Sequence, residues 1–176
     1  AIQQREDGAR LPRMVMVDPT PELEEYIAAI GERAEAVQQR IVLPTEDNML
    51  KISSDGRKAA LDMRLVDPEL EMQEAPTKIS AAADLIAGVY EENKERIYTD
   101  PKTGDPHPTP GALQIVFCDL GTPSDKWNVY GQLRDDLVQR GVPEHKVRFM
   151  HEAKNDAEKG RLFAACRTGD VAVLVG

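Results

Sequence analysis

The sequence has little of what several functional classes need. It contains two cysteines, Cys118 and Cys166, and neither has a second Cys or His at the spacing of a zinc ligand pair. No apolar run approaches the roughly 20 residues of a membrane-spanning helix. Residues 1–12 have no apolar core of the signal-peptide kind. We therefore expect a cytoplasmic protein whose two cysteines are small buried residues in a reducing compartment.

Sequence motifs for nucleotide-dependent or hydrolytic chemistry are also missing. Neither GxxxxGK[ST] nor GxGxxG occurs, and no serine stands in a GxSxG context. Carboxylates are numerous, but no pair of them stands at a strand end as an acid and base couple. We therefore expect no catalytic residue, no bound cofactor and no metal in this chain itself.

The charge balance is acidic, with 31 Asp and Glu against 22 Lys and Arg and a formal net charge of −9. Such a balance does not favour nucleic-acid binding through bulk charge, although a local basic groove is compatible with it. Hydrophobic residues make up 41% of the chain, enough for a core, and 30% charged residues favour a water-exposed surface.

The second part of the chain has the pattern of an open α/β sheet. Three short apolar runs, 113–118, 147–150 and 171–175, are typical of buried parallel strands. The segments between them have helical spacing and are long enough for the crossovers that parallel strands require. The sequence predicts the order strand, helix, strand, helix, strand, in a sheet that we expect to be incomplete because the third run ends the sequence.

Each of the two crossover helices has a predicted cap and inner face. The first is expected to begin at Ser124 or Asp125 and to end at Gly141, and the second to begin at Asn155 or Asp156 and to end at Gly169. The residues expected to face the sheet are Trp127, Tyr130, Leu133, Leu137 and Val138 in the first, and Leu162, Phe163 and Cys166 in the second.

Residues 1–98 form a mainly helical portion, which a Pro- and Gly-rich loop over 99–112 separates from the α/β core over 113–176. A strand or extended segment is predicted over 13–17. Thr20 caps a long amphipathic helix that runs to about Ile41. The next helix is expected to begin at Ser54 or Asp55, after a helical turn over 47–52, and another begins at Thr77 or Ser80.

Candidate binding residues stand where the first two strands end, since ligands of open α/β sheets bind at the carboxyl ends of the strands. After the first strand come Gly121, Thr122 and Ser124, at what we expect to be a helix N-terminus, where backbone N–H groups can bind a phosphate. A turn with a helix cap is the alternative explanation. After the second strand, His151 and Lys154 can contact phosphate or simply lie in an exposed loop.

The order of these segments resembles the carboxy-terminal RecA-like lobe of superfamily-two helicases, especially Snf-type ATPases and related phage- and plasmid-borne helicases. LQIVFCDLGT at 113–122 looks like their motif IV strand and the turn that contacts the nucleic-acid backbone, and 147–151 looks like the next strand with its terminal His. The segment 159–175 resembles the one before motif V. Lys159 stands where the family has Arg, and Cys166 where it has Phe.

The helical portion matches the same lobe in the same order. RMVMVDPTPELEEYI, NMLKISSDGRKAALDMRLVDP and APTKISAAADLIAGVYEE look like its opening strand and helix, its short helices and the helix before motif IV, with Lys78 in the family's Lys position. The resemblance therefore covers most of residues 13–176.

The resemblance implies a fragment of the second motor lobe of a nucleic-acid-dependent ATPase, truncated before motif V. The parent would be an ATP hydrolase that uses ATP and Mg²⁺ with a missing first lobe, and this chain alone would not hydrolyse ATP. It also implies a nucleic-acid partner, DNA in the first place, contacted through Gly121, Thr122, Ser124, His151 and Lys159. We keep two alternatives: a non-catalytic α/β protein-interaction domain that docks a partner through its helical portion, and, ranked last, a flavodoxin-like receiver with Asp119 as its one candidate acidic residue.

Overall fold

The computed structural model describes residues 12, 14–71, 76–99 and 102–176. These residues form an α/β arrangement with a small open parallel sheet, as predicted. The elements are α1 (Pro21–Gln38), α2 (Met49–Leu61), α3 (Lys78–Asn93), β1 (Gln114–Val116), α4 (Val129–Gln139), β2 (Val147–Phe149), α5 (Asp156–Thr168) and β3 (Val173–Val175), with short 3-10 turns at Met63–Leu65, Glu144–Lys146 and Met150–Glu152.

The sheet has the strand order β1-β3-β2, and both pairings are parallel. Val173 stands opposite Gln114 on one side and Val147 on the other. All three predicted strands are confirmed, each shorter than the apolar run that predicted it. The central strand β3 is buried along its whole length, which explains why it is almost purely apolar.

Helices pack on both faces of this sheet. Val173 and Val175 face a core built with α3 and α4, whereas Leu174 packs with Leu162 of α5. The alternation follows from the two-residue period of a strand. The chain crosses from one edge strand to the other through α4 and returns to the centre through α5, and these two helices lie on opposite faces of the sheet.

The first helix begins as predicted but lies at the surface. Thr20 Oγ1 accepts the N–H of Leu23, Pro21 is the first helical residue, and none of the residues in α1 is buried. Its Arg33 guanidinium donates to Asp47 at 2.7 Å and to Asp55 at 3.1 Å. Before the helix, Met14–Val17 are described without strand pairing, so of the predicted strand or extended segment the strand is not formed, and Arg13 lies outside the described residues.

The predicted start of α2 was wrong. The helix begins at Met49, and its cap is Asn48, whose Oδ1 accepts the N–H of Lys51 at 3.0 Å. Ser54 and Asp55 lie inside the helix. Several residues in this stretch can cap a helix, and the ion pair of Asp55 with Arg33 holds that carboxylate against α1 instead.

The predicted start of α4 was also wrong. Asn128 caps it by accepting the N–H of Gly131 at 2.8 Å, so Ser124 and Asp125 stand in the turn before the helix. Trp127 consequently precedes the helix and does not face the sheet. Val138 and, on α5, Phe163 were also predicted to face inward but are 40% and 41% exposed.

Three other helix limits follow the sequence, whereas α1 ends at Gln38, before the predicted Ile41. Thr77 and Ser80 form a capping box at the start of α3, Asn155 caps α5, and Gly169 ends α5 with a left-handed φ of 81°. After α3 the Pro- and Gly-rich segment is irregular in its described part, where Thr99 and Pro106 form an isolated bridge. No helix formed by the described residues is long and apolar enough to cross a membrane.

Candidate functional site

The carboxyl edge of the sheet brings together the three segments that follow the strands. Cys118 continues β1, His151 comes after β2, and Gly176 comes directly after β3. The N–H of Cys118 donates to the carbonyl of Gly176 at 2.9 Å, which extends the sheet pairing to this edge. The turn after β1 and the 3-10 turn after β2 therefore open on the same side, where open α/β sheets bind ligands.

Tyr130, in the first turn of α4, connects the segment that follows β1 with the segment that follows β2. Its hydroxyl donates to the carbonyl of Cys118 at 2.6 Å. Its ring meets Phe149 and His151 edge to face, with centroid distances of 5.3 and 5.2 Å. Burial, followed by the nearby Cys118 and Asp119, raises the pKa of Tyr130, so the phenol stays protonated and keeps its donor role at neutral pH. The Tyr130 side chain therefore connects His151 with the turn after β1.

Arg134 follows one helical turn after Tyr130 and points to the same strand end. Its guanidinium carbon lies 5.2 Å from the centre of the Phe149 ring. Its Nε is buried and has no hydrogen-bond partner among the described residues. The sequence reasoning did not single out this arginine, although the spacing of four residues from Tyr130 places both on one helix face.

Close packing between the turn after β1 and the start of α4 leaves room only for a glycine at Gly121. Its φ is +64°, and a Cβ at this position would lie 2.3 Å from Val129 Cγ2 and 3.3 Å from Leu65 Cδ2. Its carbonyl accepts the N–H of Val129 at 3.1 Å. This glycine therefore lets the turn after β1 approach the first residue of α4 closely, whatever it binds.

Thr122 and Ser124 are exposed, but they do not stand at a helix N-terminus, because α4 begins later than predicted. The hydroxyl of Ser124 donates to the carbonyl of Lys126 at 3.3 Å, and the Asn128 amide donates to the carbonyls of both residues. The loop is thus shaped by its own polar groups. The sequence predicted that free N–H groups of a helix would donate to a phosphate here. Thr122 and Ser124 do not offer such groups, because both precede α4.

Lys159 lies apart from the other predicted residues. It is in the first turn of α5, and its ammonium is 3.9 Å from the carboxylate of Asp156. Because α5 and α4 pack on opposite faces of the sheet, Lys159 and Tyr130 approach the edge from different sides. The structure therefore groups His151 with the turn after β1 and leaves Lys159 on another surface.

Two further arginines from the helical portion reach the loop between β1 and α4. Arg64 is held by the buried carboxylate of Asp62 at 2.8 Å and lies 3.9 Å above the Trp127 ring. Arg57 is 3.9 Å from Asp119, but both side chains are largely exposed, so this pair contributes little to stability. The Trp127 ring is thus engaged by a cation on one face.

The chain was compared with protein-family models, with curated proteins and with solved structures, and no match was found. The described residues contain no group of three His, Cys, Asp or Glu side chains that fits a metal ion.

Proposed function

We propose that this chain is part of the second motor lobe of a nucleic-acid-dependent ATPase, and that the carboxyl edge of its sheet contacts the phosphates of a nucleic acid. One observation carries the proposal: Tyr130 joins the turn after β1 to His151, and Arg134 lies beside them. The colinear resemblance to superfamily-two helicases supports the same role for this edge.

The groups at this edge suit a phosphate oxygen. An arginine guanidinium offers five N–H donors, an imidazole ring donates from one or both of its nitrogens, and the exposed hydroxyl of Thr122 can donate as well. Contacts of this kind position a nucleic acid without reading its sequence. A net charge of −9 repels the polymer at long range, so we expect weak binding that falls steeply as salt rises.

ATP hydrolysis does not belong to this chain in the proposal. No step of hydrolysis is assigned to the residues described here. The resemblance gives ATP and Mg²⁺ to a first lobe, and this chain supplies backbone contacts and not catalysis.

DNA binding tests the proposal directly. Fluorescence anisotropy with labelled single-stranded and double-stranded DNA, at rising NaCl, gives the affinity and its salt dependence. We expect Thr122→Glu to weaken binding because it adds a negative charge beside the phosphates. We expect Arg134→Gln to lower the slope of log K against log salt by about 1, because one phosphate contact is lost.

Thr45→Glu is the matched control, since Thr45 is exposed in the turn between α1 and α2 and the charge change is the same. Circular dichroism of each variant verifies that it is folded. If Thr122→Glu and Arg134→Gln bind DNA like the unsubstituted chain, the edge is not a nucleic-acid surface. If labelled RNA binds more tightly than DNA in the same assay, the edge remains the proposed nucleic-acid surface and its partner is RNA.

A second candidate, a non-catalytic interaction domain, has an observation of its own. The helical portion leaves large apolar side chains exposed on and around α1: Met14, Met16, Ile27, Ile41, Leu43 and Leu50. An apolar surface of this kind suits a protein partner. In that case Ile27→Ala would weaken partner binding, whereas Thr122→Glu would leave partner binding unchanged.

A further inference from the structure

A cavity of about 290 Å³ lies at the amino edge of the sheet, opposite the site described above. Its walls include the residues directly before each strand: 111–113 before β1, Lys146 before β2, and 171–172 before β3. The end of α3, the Pro- and Gly-rich segment and the end of α5 complete it. The volume is at the lower limit for small-molecule sites, so a ligand here must be small.

The cavity wall is held firmly by packing and backbone hydrogen bonds. A Cβ on Gly169 would lie 2.6 Å from Thr109 Cγ2, so the loop is seated directly on the end of α5. The N–H of Gly111 donates to the carbonyl of Arg96 at 3.0 Å, and the N–H of His107 donates to the carbonyl of Tyr98 at 2.6 Å. The cavity is therefore built into the described structure and is not a gap beside a free loop.

The lining is basic in a protein that is acidic overall. Lys94, Lys146, Arg167 and His107 line the cavity, and no Asp or Glu is among its described lining residues. Lys146 Nζ donates to the carbonyl of Gly169 at 3.2 Å, which aims its ammonium across the cavity and leaves two N–H groups. Arg167 has no ion-pair partner within the described residues.

Three features reduce this positive charge without cancelling it. Lys94 pairs with Glu91 at 2.7 Å, Glu95 also lies near Lys94, and the C-terminal ends of α3 and α5 each contribute roughly half a negative charge. Against these stand the three lining cations and Arg96 beside the cavity, so roughly one net positive charge remains, before any charge on His107 is counted. An anion is therefore favoured over a cation or a neutral molecule.

Aromatic side chains complete the lining. Tyr90 packs against the main core, and the Tyr98 ring lies 5.1 Å from the guanidinium of Arg96, which adds a further cation beside the cavity. Flat rings held in this way favour another ring through stacking. By contrast, the groove along α5 that Arg148 and Arg161 line also contains Glu152 and Glu158, and Arg148 is paired with Glu152.

We propose that the cavity at the amino edge binds a small aromatic anion, of the class of aryl phosphates and aromatic carboxylates. The anionic group lies between Lys146 and Arg167, and the ring lies against Tyr90 and Tyr98. This site is independent of the proposed nucleic-acid surface, because the two lie at opposite ends of the strands.

Phenyl phosphate is the probe, titrated into the isotope-labelled chain and followed by amide chemical shifts. We expect saturable shifts at Gly111, Gly169 and Ala172. Lys146→Gln and Arg167→Gln should each weaken binding about tenfold, since each removes one charge-assisted hydrogen bond. Lys51→Gln, an exposed lysine on α2, is the matched control and should leave the affinity unchanged.

Two further probes sharpen the result. Weaker binding of inorganic phosphate than of phenyl phosphate supports the contribution of the tyrosines, and equal binding overturns the aromatic assignment. The absence of saturable shifts with phenyl phosphate overturns the site. Equal weakening by Lys51→Gln and Arg167→Gln also overturns it, because binding would then follow net charge alone.

Discussion

Two amphipathic helices of this chain, α1 and α4, have similar apolar spacing and very different surroundings. In α4, Tyr130, Leu133 and Leu137 are buried against the sheet and α3. In α1 no residue is buried, and Ile27, on its apolar stripe, is 47% exposed. The periodicity of a helix shows which face is apolar, but a partner surface decides whether that face leaves water.

The same contrast appears in how each helix is attached. Arg140, which directly follows α4, donates to Asp84 of α3 at 2.6 Å, at the rim of a continuous apolar core. Contacts of α1 with α2 depend on Arg33, its two carboxylates and Ile30, which packs beside Gly56. Ion pairs at a partly exposed site contribute far less than buried apolar area. We therefore expect most of the stability to lie in the sheet, α3 and α4.

The largest difference should come from shortening one apolar side chain in each helix. Leu137→Ala removes a side chain that is 0% exposed, and we expect it to lower the free energy of unfolding by about 2–5 kcal/mol. Ile27→Ala should change it by no more than about 0.5 kcal/mol. Urea unfolding followed by circular dichroism measures both. Equal losses would show that the apolar face of α1 is buried in solution, for example against a second copy.

The next largest effect concerns the contact between the helical portion and α4. Gly121→Ala places a Cβ against Val129 and Leu65 at a left-handed φ, and we expect a loss of about 2–4 kcal/mol. Gly88→Ala is the matched control, since Gly88 lies inside α3 with open space around it. That change should stabilise the protein by about 0.5–1 kcal/mol. Thermal unfolding of both variants measures the two opposite changes in stability. If Gly121→Ala is as stable as the unsubstituted chain, the close approach of this turn to α4 is contradicted.

The smallest effect should come from acid, at the contact of α1 with α2. The hydrogen bond from Arg33 lowers the pKa of Asp47 below its ordinary 3.8, against a smaller opposing effect of burial. The stabilisation by this pair is therefore complete above that ordinary value and is lost as pH falls through the lower folded-state value. Asp47→Asn should be less stable than the unsubstituted chain at neutral pH, and the difference should shrink in acid. A difference in melting temperature that is constant with pH would show that the carboxylate charge does not matter.

The sequence predicted those parts of the fold that depend on local pattern. Three apolar runs predicted the strands, and Thr20, Thr77 and Asn155 predicted three helix starts. The starts of α2 and α4 were mispredicted because several residues in a row can cap a helix. Which one does so depends on distant groups, such as the Arg64 guanidinium above Trp127.

The sequence predicted only those residues of the candidate site that directly follow a predicted strand. His151 and the turn after β1 were expected at one edge, and the structure places them there, joined by Tyr130. Arg134 could not be found in this way, since its neighbour Phe149 comes from another strand and the strand order is not written in local pattern. Lys159 was grouped with the others only by resemblance, and its position on α5 separates it from them.

The position of β3 also constrains the order of events during folding. Among the described strands it follows β1 and β2 in sequence but lies between them in space, and β1 and β2 do not pair with each other. Neither β1 nor β2 can form its parallel pairing until residues 173–175 are in place, so this sheet cannot nucleate from a local hairpin. We expect the helices and their contacts to collapse first, and the sheet to form in one late step that joins residues about 60 positions apart, as Gln114 and Val173 are.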